Sequence, residues 1–184
     1  MRVVAGALRG RRLKGFKGRE IRPTSDKVKE AVFSILTSRG FFTDAPRVLD
    51  LYAGTGALGI EALSRGAVEA VFVDSNSQSA ALVRKNISDL GLEERSLVVV
   101  EKASRALRGL SKKDILFDII FMDPPYGAGL IESTLEASLL VLDAGGLVVV
   151  EGPKALDLDL GEMGLHVLDK RIYGDTRVSF IGRV

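Results

Sequence analysis

The 184-residue chain contains no cysteine. That absence removes disulfides, thiolate metal sites and any Cys nucleophile, including chemistry that adds a thiolate to a pyrimidine ring. Histidine occurs once, as His166, so no His-rich metal site can form, and that residue reads as a surface or strand position. No run approaches the ~20 apolar residues of a membrane span, and the basic N-terminus lacks the continuous apolar stretch of a signal peptide. A cytoplasmic protein without membrane association is the expectation. Acidic charge is scarce at the N-terminal end: residues 1–30 hold ten Lys/Arg against Glu20, Asp26 and Glu30, a net +7. The remaining residues hold 16 basic and 21 acidic side chains, a net −5 that nearly hides the asymmetry in an overall charge of +2. A basic end on an acidic body is the footprint of a polyanion binder.

Proline is sparse, five in all, yet two stand together in Asp123-Pro124-Pro125-Tyr126 directly after the apolar run 117–122. Two prolines end a strand, fix φ near −65° and hold the preceding Asp and the carbonyls rigidly. The result is a fixed acceptor cluster beside an aromatic ring on which a nucleobase can stack. Upstream, Val48 to Gly59 reads as a buried strand entering a glycine turn and then a helix. Gly54, Gly56 and Gly59 match the dinucleotide fingerprint, and Asp74 ends the next apolar run, where an acid accepts from ribose hydroxyls. Asp50 narrows the ligand: a carboxylate in the first strand repels a pyrophosphate but favours a cationic amino group. S-adenosylmethionine, an adenosine carrying an amino-acid tail, fits this combination. Tyr52, Ala53, Thr55 and Ser75 flank these positions and complete the candidate cofactor contacts.

At this length one domain is the simplest reading, large enough to bury roughly 70% of its unfolded surface. Residues 1–23 read as a basic β-containing arm, and residues 24–184 as the cofactor-binding core. Thr24 or Ser25 can cap a helix through about Leu36. Strand-like runs at 47–51, 70–74, 97–101, 117–122 and 146–151 alternate with helical stretches at 57–65, 78–90, 103–110 and 129–141. Such alternation predicts a mostly parallel sheet with helices on both faces. The segments 165–173 and 176–182, joined at Gly174-Asp175, read as a C-terminal antiparallel hairpin, with Tyr173 to Thr176 as a turn. Asp118 starts a strand beside solvent and is not a catalytic candidate.

Several ordered segments resemble the class I S-adenosylmethionine-dependent methyltransferases and, more closely, the RsmD family of 16S ribosomal RNA guanine-N2 methyltransferases. These are Val4-Ala5-Gly6 with Arg9 to Leu13, Arg22 to Glu30, Leu49 to Gly59, Glu61 to Ala67, the Asp-Pro-Pro-Tyr segment, and Tyr173 to Ser179. The resemblance implies a Rossmann-like α/β fold with a seven-stranded sheet. It further implies methyl transfer to the N2 amino group of a guanine in 16S rRNA, within an assembling or assembled small ribosomal subunit. The expected protein is a monomer, and methyl transfer from a sulfonium calls for no metal. Asp123, Pro124, Pro125 and Tyr126 are the candidate catalytic residues, Asp123 also bordering the cofactor. Arg9, Arg11, Arg12, Lys14 and Arg22 are candidate RNA-backbone contacts, and the Arg22-Pro23-Thr24 segment lies near the target nucleotide by resemblance. Where such enzymes often place an Asp-Ala pair near the adenine, this chain has Glu101-Lys102-Ala103, making Glu101 and Ala103 the candidate substitutes.

Other readings share parts of the pattern. Adenine N6 presents the same two N–H donors, so the acceptor cluster alone does not choose between the bases, and related motifs with Asn first serve glutamine side chains. A nicotinamide-dependent oxidoreductase shares the glycines but has no use for Asp50 or the prolines. A non-catalytic RNA-binding assembly factor shares the arm but needs no cofactor crevice.

Overall fold

The computed structural model describes residues 1–16, 26–125 and 129–183. Five apolar runs form parallel strands: β1 (Arg47–Leu51), β2 (Glu69–Val73), β3 (Ser96–Val99), β4 (Phe117–Met122) and β5 (Leu142–Pro153). The hairpin β6 (His166–Tyr173) and β7 (Thr176–Gly182) joins antiparallel through β7, giving the order β3-β2-β1-β4-β5-β7-β6. Helices α1 (Asp26–Ser38), α2 (Ala57–Ser64), α3 (Ser77–Leu90), α4 (Ala103–Ser111) and α5 (Leu130–Ser138) precede or connect the parallel strands.

Because successive strand side chains point to opposite faces, the sheet divides the interior into two layers. Val48, Phe72, Ile119 and Phe121 pack with residues of α1, α2 and α3 on one side; Leu49, Leu51, Ile120 and Met122 pack with α4 and α5 on the other. Two helix boundaries have clear local causes. The Asn76 side chain accepts from the Gln78 and Ser79 amides to start α3, and Gly91, at φ 68°, ends it.

Three expectations differ from the observed elements. The arm forms a single bridge, Arg2 to Arg12, where strands were expected, because side chains of α2 take its backbone groups. Helix α5 stops at Ser138, since residues 139–141 turn to deliver the Val141 carbonyl to the Phe117 amide and so open β5 early. Strand β3 stops at Val99, whose carbonyl accepts from the Asp74 amide, leaving Glu101 beyond the sheet. Thr24 and Ser25, the expected helix caps, lie outside the described residues, as do Arg22, Pro23 and Tyr126.

Candidate active site

In open α/β sheets the ligand crevice lies outside the carboxyl ends of the strands where strand order reverses, here between β1 and β4. The chain places there a crevice of about 1210 Å³ lined by Asp50, Tyr52, Ala53, Gly54, Thr55, Asp74, Ser75, Asp123, Pro124 and Pro125. Gly54 and Gly56 adopt φ 57° and 77°, conformations that a side chain resists, and Gly56 shapes the turn without lining the crevice. Gly59 serves packing: a Cβ there would sit 2.3 Å from the Phe72 ring, so only glycine lets α2 lie this close to β2. Tyr52 also holds a left-handed backbone, φ 61°, and its hydroxyl is 2.8 Å from Thr134 Oγ1 on α5. A non-glycine residue in that region costs of order 1–3 kcal/mol and persists where its surroundings fix it, commonly at ligand clamps.

The two acids at the strand ends organise the loop as well as facing the crevice. Asp50 Oδ2 accepts the Gly59 amide at 2.9 Å, which ties β1 to the first turn of α2. Asp74 accepts the Gly54 amide on one oxygen at 2.9 Å and the Asn76 amide on the other at 2.8 Å. Each Asp74 oxygen retains a lone pair for a further donor such as a ribose hydroxyl.

Electrostatically the crevice favours a cation. Asp50 is 3% exposed, and burial pushes its pKa up to about 8, aided by the Asp123 and Asp74 charges and opposed by the Gly59 hydrogen bond. Asp123 has surface open to the crevice, but the protein crowded around its carboxyl removes most bulk water. That desolvation, with the Glu151 carboxylate on the adjacent strand, pushes Asp123 up to about 7. Against four acids, Lys27 is the single cationic side chain on the lining among the described residues. A ligand carrying positive charge would relieve this arrangement.

The arm is a wall of the same crevice. Met1, Leu13, Gly15 and Phe16 line it, and the Thr55 hydroxyl lies 3.6 Å from Met1 Sδ. Fully buried Glu61 accepts the Val4 and Ala5 amides at 2.7 and 2.9 Å and pairs with Arg65 and Lys29. Lys29, equally buried, donates to the Arg2 carbonyl; desolvation lowers its pKa. Gly6 fits against Ser64 because a Cβ would collide with the Ser64 carbonyl, 1.9 Å away. Buried Asn86 joins all three parts: it accepts the Lys14 amide and donates to the carbonyls of Lys14 and Thr55.

The remaining candidates fall elsewhere. Glu101 pairs with Arg105 at 3.4 Å and Ala103 is buried as the first residue of α4, and neither lines the crevice. Arg9, Arg11 and Arg12 are exposed on the arm, Arg11 donating to the Asp89 carbonyl. Lys14 pairs with Asp89, which raises the lysine and lowers the acid. Asp118 accepts the Arg47 amide at 2.7 Å, a role in strand entry. Sequence reasoning missed Glu151, which only the β4–β5 register sets beside Asp123, and treated Tyr173, Gly174 and Thr176 as a simple turn although they line the crevice.

The family described as conserved hypothetical protein 95 matches residues 1–182. A Bacillus subtilis protein provisionally named as an rRNA methyltransferase, YlbH, is 38% identical over 181 residues, covering 97% of each chain. Ribosomal RNA small subunit methyltransferase D of Haemophilus influenzae is 33% identical over 158 residues, 84% of this chain and 79% of its own. Among solved structures, an Escherichia coli protein described as a candidate methyltransferase, yhhF, superposes with a TM-score of 0.85 at 30% identity, covering 100% of this chain and 97% of that one. The seven-stranded sheet with its C-terminal hairpin is thus a methyltransferase fold, and the chain belongs to the RsmD family, that of ribosomal RNA small subunit methyltransferase D.

Proposed function

We propose that the protein is an S-adenosylmethionine-dependent methyltransferase that methylates the exocyclic N2 of a guanine in 16S rRNA of the small ribosomal subunit. One observation carries this reading: a cation-seeking crevice at the glycine loop is continuous with the Asp123-Pro124-Pro125 acceptor cluster. Four acidic side chains there, against Lys27 as the one cation among the described lining residues, disfavour the pyrophosphate of a nicotinamide cofactor. Relatives named ribosomal RNA small subunit methyltransferase D, that of Haemophilus influenzae among them, support RNA as the substrate.

When bound, S-adenosylmethionine supplies an electrophilic methyl group on a sulfonium. Asp50 and its neighbours stabilise the cofactor's positive charge, and Asp74 accepts from the ribose. The exocyclic nitrogen of guanine is a poor nucleophile because its lone pair is delocalised into the ring. The Asp123 carboxylate and the Pro124 carbonyl each accept one N–H, which turns the lone pair toward the methyl group and stabilises positive charge growing on nitrogen. Alignment of nitrogen, methyl and sulfur contributes up to ~7–11 kcal/mol. The new N–C bond forms as the C–S bond breaks, and the nitrogen then loses a proton. With a pKa near 7 in place of an ordinary ~4, Asp123 is a competent acceptor for that proton while still too weak to deprotonate the neutral amine beforehand. By resemblance to the family, Tyr126 is assigned to stacking on the extruded base and Arg22-Pro23-Thr24 to the target nucleotide, all of them outside the described residues. Arg9, Arg11 and Arg12 hold RNA phosphates.

Small-subunit particles from a deletion strain, incubated with labelled S-adenosylmethionine and digested to nucleosides, test the reading. The expected product is N2-methylguanosine, and inosine in place of the target guanine should bind yet accept no label. Recovery of N6-methyladenosine would overturn the assignment to guanine.

A further inference from the structure

Helix α4 carries charge for which the fold has no use. Lys102, Arg105, Arg108, Lys112 and Lys113 place five positive charges within residues 102–113, with no acid among them, on a body whose residues 31–184 are net −5. Elsewhere in residues 31–184 some cations have carboxylate partners, Arg47 with Glu69, Arg65 with Glu61, Lys85 with Asp89 and Arg171 with Asp169, and others bond backbone carbonyls, as Arg84 and Arg95 do. On α4, among the described residues, Arg105 alone has a carboxylate partner, Glu101.

Spacing puts these charges on one side. Ala103, Ala106, Leu107 and Leu110 are buried against the sheet, whereas Lys102, Arg105, Arg108 and Lys112, three, three and four residues apart, lie on the opposite, exposed side. Helix stabilisation accounts for only part of this. The macrodipole favours cations at the C-terminal turn, where Arg108 and Lys112 stand, but disfavours Lys102 and Arg105 at the N-terminal end. Nor does the helix suit insertion into a lipid surface, because its apolar face is already consumed by the core.

Position supplies the partner. Lys102 caps α4 just beyond the end of β3, on the strand-end rim that also holds the crevice. The basic arm packs on the layer of α1, α2 and α3, and α4 on the other layer. The exposed arginines of the arm and the outer face of α4 therefore lie on opposite layers of the sheet, an arrangement that suits a folded polyanion wide enough to touch both. We infer that the outer face of α4 is a second RNA-backbone surface, gripping phosphates remote from the target nucleotide. This rests on the proposed function, whose substrate is RNA. Such contacts read no sequence; they fix the orientation in which the base reaches the crevice.

The test uses the intact protein with Lys102→Gln, Arg105→Gln, Arg108→Gln and Lys112→Gln combined. Binding to 16S rRNA is measured from low to moderate salt, alongside calorimetry with S-adenosylmethionine and methylation kinetics. Each phosphate contact contributes a slope of about 0.7–0.9 in log affinity against log salt, so loss of two to four contacts should flatten the slope by about 1.5–3.5. RNA affinity at low salt should fall at least ~10-fold and KM for RNA rise, with kcat and cofactor affinity unchanged. Combination with Arg9→Gln, Arg11→Gln and Arg12→Gln should add the two losses in log affinity. A variant whose salt slope and KM match wild type overturns the inference, as does a variant impaired only in binding anionic vesicles. Wild-type protein that binds no 16S rRNA overturns the proposed function together with it, so the two failures are distinguishable.

Discussion

Asp50→Asn should stabilise the empty protein while destroying its affinity for the cofactor, and the size of the gain should depend on pH in a defined direction. Asp50 is 3% exposed, and its pKa rises from an ordinary 3.8 to about 8 on folding. Between those values the folded protein keeps a proton that the unfolded chain releases, so wild-type stability falls as pH rises across that window and levels off above about 8. Four pKa units at about 1.36 kcal/mol each set an upper bound on the order of 5 kcal/mol. Relaxation and water entry into the crevice reduce this to about 2–4 kcal/mol. Asparagine keeps an acceptor for the Gly59 amide and does not titrate. Any constant cost of burying the amide group cancels when the variant's advantage at pH 5 is subtracted from that at pH 9. Urea denaturation at pH 5, 7 and 9 should show that advantage widening by about 1–3 kcal/mol, the part of the loss that lies above pH 5, and calorimetry should show cofactor binding lost. An advantage that stays flat from pH 5 to pH 9 would refute the claim that folding desolvates this carboxylate.

Three further outcomes follow from the same site. Wild-type methyl transfer in single turnover should rise with pH through about 7, because Asp123 must be ionised to accept the amine; Asp123→Asn should lose at least ~100-fold in rate with near-normal cofactor affinity, and Glu151→Gln should move the inflection to lower pH. A pH-independent wild-type rate between 5 and 9 would remove Asp123 from that role. Asp74→Ala should weaken cofactor binding by about 1.5–3 kcal/mol while leaving RNA affinity alone, since it also frees the Gly54 amide; unaltered calorimetric affinity would count against it. Gly59→Ala should destabilise the fold by about 1–3 kcal/mol through collision with Phe72, with partial recovery on adding Phe72→Leu, both read as shifts in Tm.

Much of the fold is legible locally. Strand β4 runs over the apolar stretch 117–122 and stops where Asp123-Pro124-Pro125 removes donors, and β1 occupies 47–51 as its pattern predicts. Those elements owe their limits to neighbours in the chain. The arm does not: its strand-like sequence pairs only once because Glu61 and Ser64, 56–59 residues away, take its backbone groups. Glu151 sits at the end of an apolar run and looks like punctuation, and its influence on Asp123 arises only when β5 aligns beside β4. Likewise Tyr173 and Thr176 face the crevice because β7 inserts between β5 and β6, an order that no local pattern encodes. Asp50 was visible as an acid suited to a cation, but its tie to Gly59 needed the turn to be folded.

The docking of the arm has a consequence for how the molecule assembles. Hydrogen bonds from residues 4, 5, 8 and 14 close loops of 56–72 residues, reaching partners on α2 and α3. Loop closure of that span carries an entropy penalty that must be met before non-local contacts return anything. During synthesis the arm emerges before its partners, and Glu61, Ser64 and Asn86 must exist and be helical before it has anywhere to bind. Its order is thus a by-product of the first two strand-and-helix units. A chain that displays a structured arm has, by that fact, already built the glycine turn that Asn86 ties to it.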